Sequence, residues 1–203
     1  MERVCVLTPT TISRIRFIDL MLCNLQKQTY DHNSLKWIVV GDSEFLTRNS
    51  FEKAFLKIPN IECVYVPCDI QENIGEKRNF ACEQVTESII INMDDDDIYM
   101  ETYIEYSVSK LLDPNNDLGL VCCKTMLLFF PENEGKIVFI SGQVGHEATF
   151  CHTKQHWRDH GYKSGRSGEG QSMVRGKFYN EMDIRKVMVC VVHVGNTFDK
   201  NIF

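Results

Sequence analysis

Through the first half of this chain, short apolar runs alternate with stretches of helical periodicity. Val4 to Thr8 is a β-type run closed by Pro9, and in Ile12 to Gln28 the residues Ile15, Ile18, Leu22 and Leu25 recur on one helical face. Leu35 to Val40 predicts a second strand ending at Gly41-Asp42-Ser43, and Phe45 to Ile58 a helix that aligns Phe51, Phe55 and Ile58. A third strand over Ile61 to Val66, a helix over Gly75 to Thr86 and a fourth strand over Ser88 to Met93 continue the alternation. These intervals suit right-handed βαβ crossovers, which build a parallel sheet flanked by helices. The fourth strand is continuous in apolar residues, as in a sheet covered on both faces.

Beyond Tyr99 the pattern becomes irregular. Tyr103 to Leu112 predicts a helix, and Leu118 to Phe130 with Lys136 to Ser141 predicts a hairpin around Pro131-Glu132-Asn133-Glu134-Gly135. A short helix over Thr153 to His160 precedes Gly161 to Gly170, whose four glycines predict a mobile loop. Val187 to Val192 is a last strand, followed by His193. No repeat, low-complexity tract or linker intervenes, so the chain reads as one α/β domain over residues 1–203, with a nucleotide-binding type of half (1–99) and an irregular half (100–203).

Composition excludes more than it selects. With 43% hydrophobic and 25% charged residues the chain is an ordinary globular protein. A net charge of −6, with Lys and Arg scattered, argues against a nucleic-acid surface. The nine cysteines are odd in number and form no CxxC pair, which reads as free thiols in a reducing compartment. No apolar stretch approaches the roughly 20 residues of a membrane span, and no signal-peptide core follows Met1-Glu2-Arg3. The expectation is a cytoplasmic protein, with peripheral membrane contact left open.

The chemistry concentrates where the fourth strand ends, at Asp94-Asp95-Asp96-Asp97. Open α/β sheets place ligands at the carboxyl ends of their strands, and four adjacent carboxylates need a cation or solvent to relieve their repulsion. Hard ions such as Mn²⁺ or Mg²⁺ take oxygen ligands and combine one or two carboxylates with substrate phosphates. A solvated turn with Asp97 near a helix N-cap would explain one of these residues but not all four.

The order of motifs resembles the GT-A fold nucleotide-diphospho-sugar glycosyltransferases, in particular the family-2-like group. The resemblance rests on Val6-Leu7-Thr8-Pro9-Thr10, Ile38-Val39-Val40-Gly41-Asp42-Ser43, Asn73-Ile74-Gly75-Glu76-Lys77-Arg78-Asn79 and Met93-Asp94-Asp95-Asp96-Asp97, the last as the Asp-x-Asp motif. It implies that Thr8, Pro9, Thr10 and Arg14 line the nucleotide pocket and that Asp42 contacts base or ribose. Helix N-capping is the alternative for Asp42. Lys77 or Arg78 would face a diphosphate, with Lys77 preferred. Asp94 would lie nearer the ribose, Asp96 would be the principal metal ligand, and Asp95 and Asp97 would support them. His193, in His193-Val194-Gly195-Asn196-Thr197, would reach the metal or the diphosphate.

In the second half, Gly168-Glu169-Gly170 stands where family members carry a Glu-Asp pair, which makes Glu169 the candidate base. Trp157 and Tyr162 are candidate acceptor-stacking groups, with core packing as the alternative. The resemblance therefore implies an inverting, metal-dependent glycosyltransferase that takes a UDP- or GDP-sugar and a glycan, lipid-linked or protein acceptor.

Two other functional readings and a rival metal site compete. A sugar-phosphate nucleotidyltransferase would place a Gly-rich loop after the first strand, where Thr10-Thr11-Ile12-Ser13-Arg14 has no glycine. A catalytically silent sugar-nucleotide-binding module would not need Asp94, Asp96 and Glu169 together. His152, His156 and His160 recur at helical spacing beside Cys151, but the outer pair would lie about 12 Å apart along a helix axis, too far to share one zinc ion.

Overall fold

In a computed structural model of the chain, the described residues are 1–70, 73–142, 144–165, 167–174 and 180–196. The first half forms β1 (Val4–Pro9), α1 (Ile18–Gln26), β2 (Leu35–Gly41), α2 (Phe45–Phe55), β3 (Glu62–Pro67), α3 (Ile74–Glu83) and β4 (Ile89–Asn92). β1 lies between β2 and β4, parallel to both, and β3 adds parallel to β2. Along each strand alternate residues face opposite layers. Val4, Val6, Trp37, Val39, Ile89 and Ile91 pack on one side with α1 and α2, while Cys5, Leu7, Ile38, Val40 and Ile90 pack on the other with α3. The expected parallel sheet covered on both faces is thus present.

The second half widens this sheet and adds another. After β5 (Ile98–Tyr99) and α4 (Tyr103–Leu111) come β6 (Leu120–Cys122), β7 (Thr125–Phe130), β8 (Lys136–Ser141) and β9 (Cys151–Thr153). The short helices α5 (Lys154–His160) and α6 (Gln171–Val174), then β10 (Asn180–Glu181) and β11 (Met188–Val191), complete the described elements. The main sheet runs β10-β6-β9-β4-β1-β2-β3, and a smaller sheet runs β5-β11-β7-β8. β9 is antiparallel to both its neighbours, β4 and β6.

The sequence pattern misreads four places. The helix expected from Ile12 begins instead as a 3₁₀ segment, Ile12–Phe17, where Asp42 Oδ2 accepts from Ile12 N at 2.6 Å. Tight 3₁₀ turns are common at such helix starts. The run Leu118 to Phe130 divides between the two sheets, because at Cys123 the backbone leaves the ladder: its N–H bonds Thr149 Oγ1 (2.9 Å) and its carbonyl accepts from His146 N (2.8 Å). Within the run the polar pair Lys124-Thr125 stands at this change of sheet.

The predicted mobile loop is held against α3. Asn79 brackets Tyr162 through its backbone N–H and C=O, and Asn73 Oδ1 accepts from Gly165 N at 2.8 Å. Gly75 makes this seam possible, since a Cβ there would collide with the carbonyl of Lys163. Finally, His152 belongs to β9 and not to the helix of His156 and His160, so the three share no face.

His152 is fully buried, and burial pushes its imidazole down to about 4. Its ordinary value is about 6.5, so acid protonates the unfolded chain first. The stability that His152 confers is complete above pH ~6.5 and declines as pH falls towards ~4, by on the order of 1 kcal/mol per pH unit. Urea unfolding of wild type and His152→Gln across pH 7.5 to 4.5 should show the steeper acid decline in wild type. Equal slopes would remove His152 as the cause.

Candidate functional site at the end of the fourth strand

The end of β4 is fixed by buried polar groups. Thr8 Oγ1 donates to the Met93 carbonyl (2.8 Å) and accepts from Trp37 Nε1 (2.9 Å), tying β1, β2 and β4 together. Tyr103 Oη donates to the Asn92 carbonyl (2.7 Å), and Tyr99 Oη accepts from Asp94 N (2.8 Å). The chain then turns with Asp95, Asp96 and Asp97 all buried.

The carboxylates divide among several partners, and two of them share Arg14. Asp94 is bound by Arg78 Nη2 at 2.9 and 3.0 Å. Asp95 accepts from Thr10 Oγ1 at 2.7 Å and from Arg14 Nη1 at 2.9 Å. Burial nonetheless pushes the Asp95 carboxyl up to about 7, against the pull of the Arg14 charge. Asp96 Oδ2 accepts from the same Arg14 nitrogen, from His193 Nε2 at 2.9 Å and from Asn196 Nδ2 at 3.1 Å. Asp97 Oδ1 accepts from Val191 N at 2.9 Å, which fastens β11 to the cluster and sets His193 beside Asp96. Gly195 N donates to His193 Nδ1 at 3.0 Å, so that the other ring nitrogen, Nε2, carries the proton given to Asp96.

Arg78 joins the cluster to the glycine-rich segment. It is 4% exposed, and besides Asp94 it reaches Glu169 Oε1 through Nε at 3.2 Å. Burial opposes its charge, but Asp94 and Glu169 outweigh that and hold its pKa well above the usual guanidinium value. Its Nη1 is buried without a hydrogen-bond partner among the described residues. Lys77, preferred from the sequence, points elsewhere: its ammonium is buried and donates to the Thr10 carbonyl at 2.9 Å, bracing the first loop. Asp42 does not cap α2, whose N-cap residue is Glu44. One Asp42 oxygen closes the first loop on Ile12, and the other is buried and unpartnered among the described residues.

Other expected site residues serve the fold. The Thr8 hydroxyl is used up inside the sheet, and Pro9 ends β1 as a buried residue. Tyr162 is 5% exposed, stacks on Phe150 and accepts from Asn92 Nδ2 at 2.9 Å, so its ring has no face to offer an acceptor. Trp157 is half-buried against the α3 side of the core and donates to Asn79 Oδ1 at 2.9 Å.

Glu147 carries no signal in the sequence. Its carboxylate accepts from Gly170 N at 3.1 Å, and a Cβ at Gly170 would meet Glu147 Cγ and the Phe150 ring at 2.6 Å. Burial, then the Glu169 charge, push Glu147 up to about 7. A second acid thus stands against the position where the glycine replaces the family's Asp. The clue was the missing side chain at residue 170, but nothing in the sequence pointed to residue 147 as the one beside it.

Among the described residues, no three metal-ligating side chains form a ready cation cage. Asp95 and Asp96 nevertheless converge on a single positive group, Arg14 Nη1. Two carboxylates so converged fit the donor set of a hard divalent ion that shares its remaining positions with phosphate oxygens.

This architecture defines a class. The chain has the GT-A-like glycosyltransferase fold, with a mostly parallel central sheet and flanking helices. It is similar to the mannosyltransferase PcManGT from Pyrobaculum calidifontis, solved in complex with GDP-Man and Mn²⁺, at a TM-score of 0.74 and 16% identity over 97% of this chain and 59% of that one. It is also similar to S. aureus TarS in complex with UDP-GlcNAc, at 0.73 and 13% identity over 96% of this chain and 60% of that one. The chain therefore spans about three fifths of the length of these structures. No family model and no curated protein matches it. Among the described residues, no helix is long and apolar enough to cross a membrane.

Removing Arg78 would strand the buried Glu169 and the partly buried Asp94. Arg78→Met should cost about 3–5 kcal/mol, the usual result of breaking a buried pair from one side. Glu169→Gln, which retains an oxygen for Arg78, should cost less. Denaturant unfolding of both variants decides it, and a loss below about 1 kcal/mol for Arg78→Met would mean that the network is not stabilising.

Proposed function

We propose that the chain is the donor-binding and catalytic part of a metal-dependent, inverting glycosyltransferase that moves a sugar from a nucleotide diphosphate to an acceptor hydroxyl. The observation that carries this reading is the continuity from Asp95 and Asp96 through Asp94 and Arg78 to Glu169, which links a cation-binding acid pair to a candidate base. The fold's neighbours in complex with GDP-Man and Mn²⁺ or with UDP-GlcNAc support the same donor class.

Asp96 is the principal ligand for Mn²⁺ or Mg²⁺, with Asp95 beside it and His193 adjoining Asp96 at 2.9 Å. When bound, such an ion supplies Lewis-acid stabilisation of charge on the departing diphosphate. The loop Thr10 to Arg14, braced by Lys77 and Asp42, frames the nucleotide. The unpartnered Asp42 oxygen is an acceptor for a ribose hydroxyl or a base N–H.

Glu169 accepts the proton of the acceptor hydroxyl as that oxygen attacks the anomeric carbon from the face opposite the diphosphate. Arg78 orients its carboxylate through Nε. The acceptor is a glycan, a lipid-linked sugar or a protein hydroxyl.

Calorimetric titration with UDP, GDP and ADP should show binding that needs Mn²⁺, is lost with EDTA or in Asp96→Ala, and favours UDP or GDP. Equal affinity with and without the ion removes the metal, and tightest binding of ADP removes the donor assignment. With a donor in hand, Glu169→Gln should lower turnover by about 10²-fold or more while donor affinity stays within a few-fold. Turnover within a few-fold of wild type would exclude Glu169 as the base, and Glu147 would be tested next.

A further inference from the structure

Two guanidinium groups neutralise the acid cluster, and they are held differently. Arg78 rises from α3 and its side chain is 5% exposed. Arg14 lies on the 3₁₀ segment Ile12–Phe17, its side chain is 14% exposed, and one nitrogen serves Asp95 and Asp96 together. Its other terminal nitrogen donates to the Gly195 carbonyl at 2.9 Å, which ties the segment after β11 to the acids.

We propose that the Arg14 guanidinium is an exchangeable occupant of the divalent-cation position, and that a metal ion enters by displacing it. The proposal rests on the metal-dependent reading above. The oxygens that converge on Arg14 Nη1, Asp95 Oδ1 and Asp96 Oδ2, are the ones a hard ion would take. A nitrogen within hydrogen-bond reach of both leaves no room for an ion between them, so the two states exclude each other. The exchange balances in charge, since a dication satisfies two carboxylates that a single guanidinium shares.

The long, unbranched Arg14 side chain can swing clear without moving the strand that carries the acids. Swinging clear also releases Gly195, so that loading the ion frees the segment bearing His193 and Asn196. A diphosphate gives the displaced guanidinium a new anion, to which arginine binds well. Ion and nucleotide therefore tighten each other's binding, a coupling that is reciprocal by linkage.

If Arg14 leaves the position open in only a few per cent of molecules, the ion's apparent affinity is reduced by about that fraction. Titration of Mn²⁺ alone, with the free ion read by electron paramagnetic resonance, should therefore show Arg14→Ala and Arg14→Gln binding at least about 10-fold more tightly than wild type. Added UDP or GDP should tighten Mn²⁺ binding more in wild type than in either variant. Should a variant need help to fold with its acids unneutralised, Mn²⁺ should restore its circular dichroism and raise its Tm. Variants that bind Mn²⁺ no more tightly than wild type, or that Mn²⁺ does not rescue, overturn the proposal. Absence of mutual tightening between Mn²⁺ and nucleotide in wild type counts separately, against the metal-dependent reading itself.

Discussion

The structure is organised around like charges confined at the end of one strand. Two carboxylates about 4 Å apart repel by roughly 4 kcal/mol at an effective dielectric of 20, and this chain places four in succession after a buried β4, three of them buried. The groups that offset the repulsion come from distant segments: the positive Arg14 from the first loop and Arg78 from α3, with His193 from beyond β11 as a neutral N–H donor to Asp96. Assembling the acids therefore also assembles the first loop, the third helix and the second sheet. Asp97 adds to this through the backbone, accepting from the Val191 N–H of β11.

How legible this was depends on the range of the interactions. The four parallel strands and three helices of the first half were readable because each buries a periodic face, and the Asp94 to Asp97 cluster because it follows an apolar run directly. What the sequence hides is which of two neighbours faces inward. Lys77 and Arg78 are adjacent on α3, about 100° apart around the axis. Arg78 turns to the acids and Lys77 to the Thr10 carbonyl. Periodicity of apolar residues cannot decide between two charged ones. Tyr162 misleads for a similar reason, since an aromatic residue in a glycine-rich segment looks exposed until Asn79 and Asn92 are seen to hold it.

The short strands were the least legible elements of the fold. β9 has only three residues, Cys151–Thr153, yet it fills the gap between β4 and β6, and its register against Ile89–Ile91 carries the chain from the second half into the main sheet. Its pairing also places Glu147 and Phe150, just upstream, against Gly170. The turn before a three-residue strand thus decides what stands beside the candidate base.

That arrangement bears on the departure from the family's Glu-Asp pair. A side chain at residue 170 would collide with Glu147 and Phe150, so in this chain the glycine is a packing requirement as well as a missing acid. The carboxylate absent from position 170 has a counterpart in Glu147, held by the Gly170 N–H and facing the charge of Glu169. Two acids near one reacting centre need not be adjacent in sequence, because a hydrogen bond to the backbone can fix one against the other. Here Arg78 sits on Glu169 and Gly170 on Glu147, so the two carboxylates are held by different kinds of donor, a charged one and a neutral one. The glycine that interrupts the motif therefore retains a pair of carboxylates at this position while drawing its second member from another part of the fold.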